Sequence, residues 1–145
     1  MVVRIMDIYS MHTAKFMTKK VITAKVNSTI QSVCKSMYDN NVGSVVIVKS
    51  TMEGAVPVGI ITERDVVKLI GLMELFSPQV PIRSFMSYPL VKGSPAMTLS
   101  KAMQIMSKKN IRRLPITDKE RVPEKLVGII TEKDIVNAIV RPHRN

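Results

Sequence analysis

Cysteine, histidine and the large aromatic residues are scarce in this chain. The one cysteine, Cys34, excludes an intrachain disulfide framework and a multi-cysteine zinc site. The two histidines, His12 and His143, lie near opposite ends. No His/Cys metal cluster and no Ser/His/Asp arrangement is therefore expected, and no catalytic role is assigned to Cys34. Tryptophan is absent and aromatics make up 4% of the chain, which leaves little for stacking on single-stranded nucleic acid. There is no Gly-x-x-x-x-Gly-Lys-Ser/Thr loop to cradle phosphates. No apolar run approaches the roughly 20 residues that span a bilayer. Arg4 and Asp7 interrupt the N-terminal stretch before a secretory core could form. A soluble, cytoplasmic protein without a membrane partner is the expectation. Acidic residues are also few: 22 Lys+Arg face 11 Asp+Glu, a formal charge of +11 that favours an anionic partner. The remainder is ordinary, with 46% hydrophobic and 23% charged residues in 145. That length suits one compact domain or two small ones sharing a core.

The chain contains an internal repeat. A shift of 69 residues lays 16–76 over 85–145 without a gap, bringing Phe16-Met17 onto Phe85-Met86, Asn41 onto Asn110 and Ile47 onto Ile116. The segment Gly59-Ile60-Ile61-Thr62-Glu63-Arg64-Asp65 falls on Gly128-Ile129-Ile130-Thr131-Glu132-Lys133-Asp134. Seven of the nine positions from Gly59 to Val67 are identical in the two copies. The organisation is then an N-terminal extension (1–15), a first unit (16–76), a short connector (77–84) and a second unit (85–145).

One reading of the elements serves both copies. Phe16-Met17-Thr18 and Phe85-Met86-Ser87 read as a turn or helical stub before a brief strand, Val21-Ile22-Thr23 or Leu90-Val91-Lys92. A helix follows from about Ser28 to Asn41, with Ile30, Val33, Cys34 and Met37 on one face; Leu99, Ala102, Met103 and Met106 repeat that spacing. Asn41 and Asn110 suit the helix exit, where the chain turns left-handed. Val45–Val48 and Leu114–Thr117 read as buried strands, the second at an edge or bulged because Pro115 cannot donate to a ladder. The stretches 49–56 and 118–125 read as hairpin loops. Val58–Ile61 and Val127–Ile130 form the next strand, and a last helix starts at Thr62 or Thr131. The class is α+β, with a β-α-β-β-α order in each unit. Units of about 60 residues are marginal alone, so the two are expected to pack sheet on sheet with pseudo-two-fold symmetry as one module.

The unit ending in Gly-Ile-Ile-Thr-Glu-Arg-Asp resembles the CBS domain, and its duplication resembles a CBS-domain pair, from about Thr13 onward. That resemblance implies a regulatory module without catalysis or a required cofactor. It implies AMP, ADP, ATP or S-adenosylmethionine bound in clefts between the units. Thr62 and Asp65 serve one cleft on this carry-over, and Thr131 and Asp134 the other, touching phosphate and ribose hydroxyls. Adenine is framed by the backbone of Ile22-Thr23-Ala24 and of Val91-Lys92-Gly93. Arg112 and Arg113 meet phosphate, whereas Gly43 and Ser44 stand in their place in the first copy, so the clefts are chemically unequal. The resemblance further implies a homodimer and a regulated partner protein of unspecified identity.

The motif also has a physical rationale of its own. A helix start carries unpaired N–H groups and partial positive charge, and so attracts phosphate. Thr62 and Thr131 add a hydroxyl there, and Arg64 and Lys133 add charge. A carboxylate such as Asp65 or Asp134 can accept from vicinal ribose hydroxyls. Gly59 and Gly128 permit close approach, either of a ligand or of a facing strand. The competing explanation is a capping box, in which Thr caps the helix and the acid reaches back, contributing roughly 0.5–2 kcal/mol without any ligand. A different function, a basic nucleic-acid-binding accessory protein, rests on the charge and on Lys108, Lys109, Arg112, Arg113, Lys119 and Arg121 lying close in sequence. The pairs Lys19-Lys20 and Lys108-Lys109 read as solvated helix ends or as anion-steering groups. Tyr9, Phe16, Phe76 and Phe85 read as packing.

Overall fold

Residues 5–73 and 77–140 are described by the computed structural model; Phe76 and His143 lie outside the described residues. In chain order the elements are α1 (Ile5–Tyr9), β1 (Thr23–Lys25), α2 (Ile30–Asn40), β2 (Ser44–Thr51) and β3 (Gly54–Thr62). They continue with α3 (Glu63–Leu72), α4 (Leu99–Lys109), β4 (Arg113–Asp118), β5 (Lys125–Thr131) and α5 (Glu132–Val140). Short 3-10 turns occupy Thr13–Lys15 and Ile82–Ser84. The chain forms two compact units, a continuous one (Val21–Leu90) and a split one (Met1–Lys20 with Val91–Asn145). These units do not follow the repeat boundaries. The segment opening each repeat belongs to the unit built mainly from the other repeat.

The continuous unit has the β-α-β-β-α order. Its sheet runs β1-β2-β3, with β1 parallel to β2 and β2 antiparallel to β3. The apolar stripe of α2 buries Ile30, Val33 and Met37. Thr29 caps that helix by accepting from the Ser32 amide at 3.2 Å, so the helix starts at Ile30 rather than Ser28. Asn41, at φ 51°, ends it in the left-handed conformation that Asn tolerates. Strand β1 lies two residues later than Val21–Thr23, because its ladder with β2 begins at Thr23 opposite Val46. Much of 49–56 is strand rather than loop: β2 and β3 meet over Met52-Glu53, with Gly54 at φ 138°. Ile82, in the segment read as a connector, is fully buried in the same core as Val45, Ile47 and Ile61. Cys34 packs half-buried against that core, and burial raises its thiol pKa.

The split unit repeats the plan with one strand fewer. Its sheet is the antiparallel pair β4-β5, and the strand expected at Leu90–Lys92 is reduced to a single parallel bridge between Gly93 and Ile116. Pro115 supplies the reason. In the continuous unit the Val46 amide donates to the Ile22 carbonyl at 3.0 Å. Pro115 holds Val46's place in the repeat and has no N–H, so this rung cannot form. The bulge has another origin, since the register shifts at Ile116/Thr117 and at the matching Ile47/Val48, where no proline stands. Within the stretch read as an extension, 1–15, the described residues contribute to this core: Ile8 is 2% exposed, and the fully buried Thr13 hydroxyl donates to the Ser94 carbonyl at 2.7 Å. Phe16, Leu99, Leu114 and Ile130 complete the core around Ile8. Among the described residues no helix is long and apolar enough to cross a membrane.

Candidate functional site

The repeated motif sits where β3 runs into α3 and where β5 runs into α5. Its glycines face chain rather than open space. A Cβ on Gly59 would lie 2.7 Å from Met86 Sδ and 3.0 Å from the Ser87 carbonyl; on Gly128 it would lie 2.5 Å from Met17 Sδ and 3.1 Å from the Thr18 carbonyl. The Phe-Met-Thr/Ser segments are bridged to the motif strands through their backbones. Thr18 and Ile129 exchange both hydrogen bonds at 2.9 Å, and Ser87 and Ile60 do so at 3.0 and 3.3 Å. Of the two explanations for these glycines, close approach of a facing segment is the one realised.

Both helix starts form the capping box. The Asp65 amide donates to Thr62 Oγ1 at 3.2 Å, while the Thr62 amide and hydroxyl each donate to Asp65 Oδ2 at 2.9 Å. In the split unit the Asp134 amide donates to Thr131 Oγ1 at 3.1 Å, and the Thr131 amide and hydroxyl donate to Asp134 Oδ2 at 2.9 and 3.0 Å. Both carboxylates therefore fold back on their own helices. They differ in what remains. Asp65 is half-buried, and its Oδ1 accepts from no described residue. Asp134 is 8% exposed, and the Thr18 hydroxyl spans both its oxygens at 3.1 and 3.3 Å. Ser87 holds Thr18's place in the repeat yet makes no side-chain bond to Asp65. Identical motif residues thus have unequal surroundings.

The flanking cations are brought to one of the two motifs. Arg113 lies opposite Thr131 in the β4–β5 ladder, and the Glu132 amide donates to the Arg112 carbonyl at 3.1 Å. Ser44 and Gly43 occupy the matching places beside Thr62 and Glu63. Arg64 and Lys133 are exposed on the first turns of their helices. Of the residues named for adenine, Thr23 is exposed and Ala24 half-buried on β1, the half-buried Ile22 immediately precedes that strand, and the outer edge of β1 pairs with no other strand among the described residues. Val91 is half-buried, and Gly93 is buried with its backbone committed: its N–H donates to Pro115 and its carbonyl accepts from Thr117, both at 2.9 Å.

Lys92 is engaged elsewhere. Its ammonium meets Glu124 Oε2 at 2.7 Å, and the fully buried Thr117 hydroxyl donates to Glu124 Oε1 at 2.7 Å. Those two donors hold the Glu124 pKa below its ordinary value. Thr18, Thr117 and Glu124 escaped the sequence reading. For Thr18 a signal existed, since Phe-Met-Thr/Ser recurs ahead of both copies; Glu124 lies in the segment where the copies diverge. No group of three or more His, Cys, Asp or Glu side chains suited to a metal gathers among the described residues.

Comparison with known proteins agrees with the repeat. The family model described as "CBS domain" matches residues 13–72 and again 82–141. The chain is 38% identical over 119 residues to the CBS domain-containing protein YhcV of Bacillus subtilis, covering 82% of this chain and 79% of that one. It is 37% identical over 118 residues to the uncharacterized protein MK0525 of Methanopyrus kandleri; the match takes in 81% of this chain but only 57% of the longer relative. Among solved structures, the CBS domain pair of protein MJ0100 superposes with a TM-score of 0.76 at 25% identity, covering 92% of this chain and 98% of that one. Two family matches, each taking in a Gly-x-x-Thr-x-x-Asp junction, place the chain in the CBS domain family.

Proposed function

We propose that the chain is a regulatory module that senses an adenosyl compound, an adenine nucleotide or S-adenosylmethionine, without catalysing a reaction on it. The observation that carries this reading is the state of Asp65. The capping bonds use one carboxylate oxygen and fix the side chain, leaving Oδ1 available to accept from ribose hydroxyls. Thr62 and Arg64 stand beside it for phosphate or a carboxylate, and the outer edge of β1 offers backbone groups to a base. Asp134, Thr131, Lys133, Arg112 and Arg113 form the second candidate set. There the ligand must first displace the Thr18 hydroxyl. The MJ0100 pair, described in complex with 5′-methylthioadenosine and S-adenosyl-L-methionine, supports the ligand class.

The module is also proposed to act as a homodimer and to pass ligand occupancy to a partner protein. Support comes from apolar side chains left exposed on α3 and α5, among them Val67, Leu72, Val136 and Ile139.

Thermal unfolding with AMP, ADP, ATP and S-adenosylmethionine tests the ligand. At a hundredfold excess over Kd a native-state ligand adds about 2.7 kcal/mol, which raises Tm by several degrees. Asp65→Asn should remove most of that rise, leaving only what the Asp134 set contributes, with the fold intact by circular dichroism. Absence of any rise with all four compounds overturns the proposal.

A further inference from the structure

Nearly all the excess positive charge of this chain falls in one unit. The continuous unit holds six Lys+Arg and five Asp+Glu, whereas the split unit holds sixteen against six. The net charges are therefore +1 and +10, although the two units share one fold plan.

Backbone contacts gather much of the excess around the start of α5. Arg113 pairs with Thr131, and the Arg112 carbonyl takes the Glu132 amide. Lys108 and Lys109 end α4 one turn of chain earlier. Lys19 and Lys20 follow Thr18, whose hydroxyl is bonded to Asp134 and whose backbone is bridged to Ile129. Lys133 lies on the first turn of α5 itself. All of these are exposed except the half-buried Arg113, and none forms an ion pair among the described residues.

The continuous unit serves as an internal control. In place of Lys108 and Lys109 it has Asp39 and Asn40. In place of Arg112 and Arg113 it has Gly43 and Ser44, and in place of Lys19 and Lys20 it has Tyr88 and Pro89. Only Arg64, opposite Lys133, keeps the charge. The fold plan needs none of the other six cations, since the continuous unit forms the counterparts of α4, β4, β5 and α5 without them. A single adenosyl ligand at the Asp134 set does not account for all of them either, because Lys19, Lys20, Lys108 and Lys109 lie outside that set.

We propose that this cationic face of the split unit docks the phosphate backbone of double-stranded nucleic acid, without reading its sequence. Several cations spread over three chain segments match a row of phosphates better than one anionic group. The split unit carries only Tyr9 and Phe16 as aromatic residues, and Phe16 is buried, so a stacking platform for single strands is lacking. The inference shares Arg112, Arg113 and Lys133 with the second candidate adenosyl set, but it uses none of the residues around Asp65, where the adenosyl reading is tested.

The test uses the full chain and a fluorescently labelled 20-base-pair DNA duplex, with anisotropy followed from about 50 to 200 mM salt, the range over which counterion release is read. Binding should weaken with a log–log slope steeper than about −3, each neutralised phosphate contributing about −0.9. Neutralising Lys108, Lys109 and Arg112 together (K108Q/K109Q/R112Q) should cut affinity at least about tenfold and make the slope shallower by about one for every phosphate no longer neutralised. The matched variant K49Q/K68Q/R83Q, in the continuous unit, should bind as the parent does. Circular dichroism confirms that both variants are folded. Any one of four results overturns the proposal: no duplex binding at the lowest salt, equal losses in the two variants, a single strand of the same length bound as tightly, or a polyglutamate peptide bound more tightly than the duplex.

Discussion

At the scale of single residues, two aspartates with the same sequence surroundings end up in different states. Asp65 and Asp134 both close capping boxes, a local event that the Thr-x-x-Asp spacing already makes legible. What separates them is Thr18, whose hydroxyl meets Asp134 across 116 residues of sequence. No local pattern carries that information. The Lys92–Glu124–Thr117 group is likewise confined to one copy, since Thr23, Ala55 and Val48 hold the matching places. Glu124 has its folded pKa lowered by Lys92 and Thr117, so the unfolded chain binds its proton first as pH falls. Its contribution to stability is full above its unfolded pKa and is lost as pH drops below 4.5 through the folded pKa. Urea midpoints measured from neutral pH into acid should fall in the parent, and Glu124→Gln should flatten part of that fall. An unchanged acid limb in the variant would show that the pair contributes nothing.

At the scale of elements, periodicity and caps made the helices legible, while strand length depended on backbone donors. The stripes of α2 and α4 and their Asn exits are local features, and Asn41 and Asn110 adopt φ of 51° and 52° as that residue type allows. The loss of the first strand in the split unit follows from Pro115, yet it becomes visible only once Val46 is seen donating to Ile22. The glycine in each motif strand is an element-level device as well: it lets a Met-Thr or Met-Ser segment lie against β5 or β3. Gly128→Ala should destabilise the chain by about 1–3 kcal/mol, the usual cost of overpacking. Gly59→Ala should cost less, since its nearest contact is 2.7 Å rather than 2.5 Å. Chemical denaturation of the two variants gives the ranking, and the reverse order would remove Met17 and Met86 as the cause.

At the scale of the whole molecule, burial is incomplete on the last helix of each repeat. Helix α3 buries no residue fully, and Val67 and Leu72 are 72% and 76% exposed; on α5, Val136 is 60% exposed. Apolar side chains recurring on equivalent helices fit self-association. Sedimentation velocity should show a dimer for the parent and a monomer for Val67→Glu combined with Val136→Glu. A monomeric parent would dismiss the association. The sequence showed the duplication plainly, because it needs only a comparison of the chain with itself. It did not show which segments close which unit. That assignment depends on long-range bonds such as Thr13 to Ser94, 81 positions apart.

This exchange of opening segments bears on how the chain matures during synthesis. Val21–Leu90 is an uninterrupted stretch that can fold as soon as it clears the ribosome. Residues up to Lys20 emerge earlier still, but they must wait for the C-terminal half before Ile8 and Phe16 find their shelter. The stretch translated just ahead of Val21 is thus among the last to settle, and a single repeat cut out at its sequence borders would leave without its own plug.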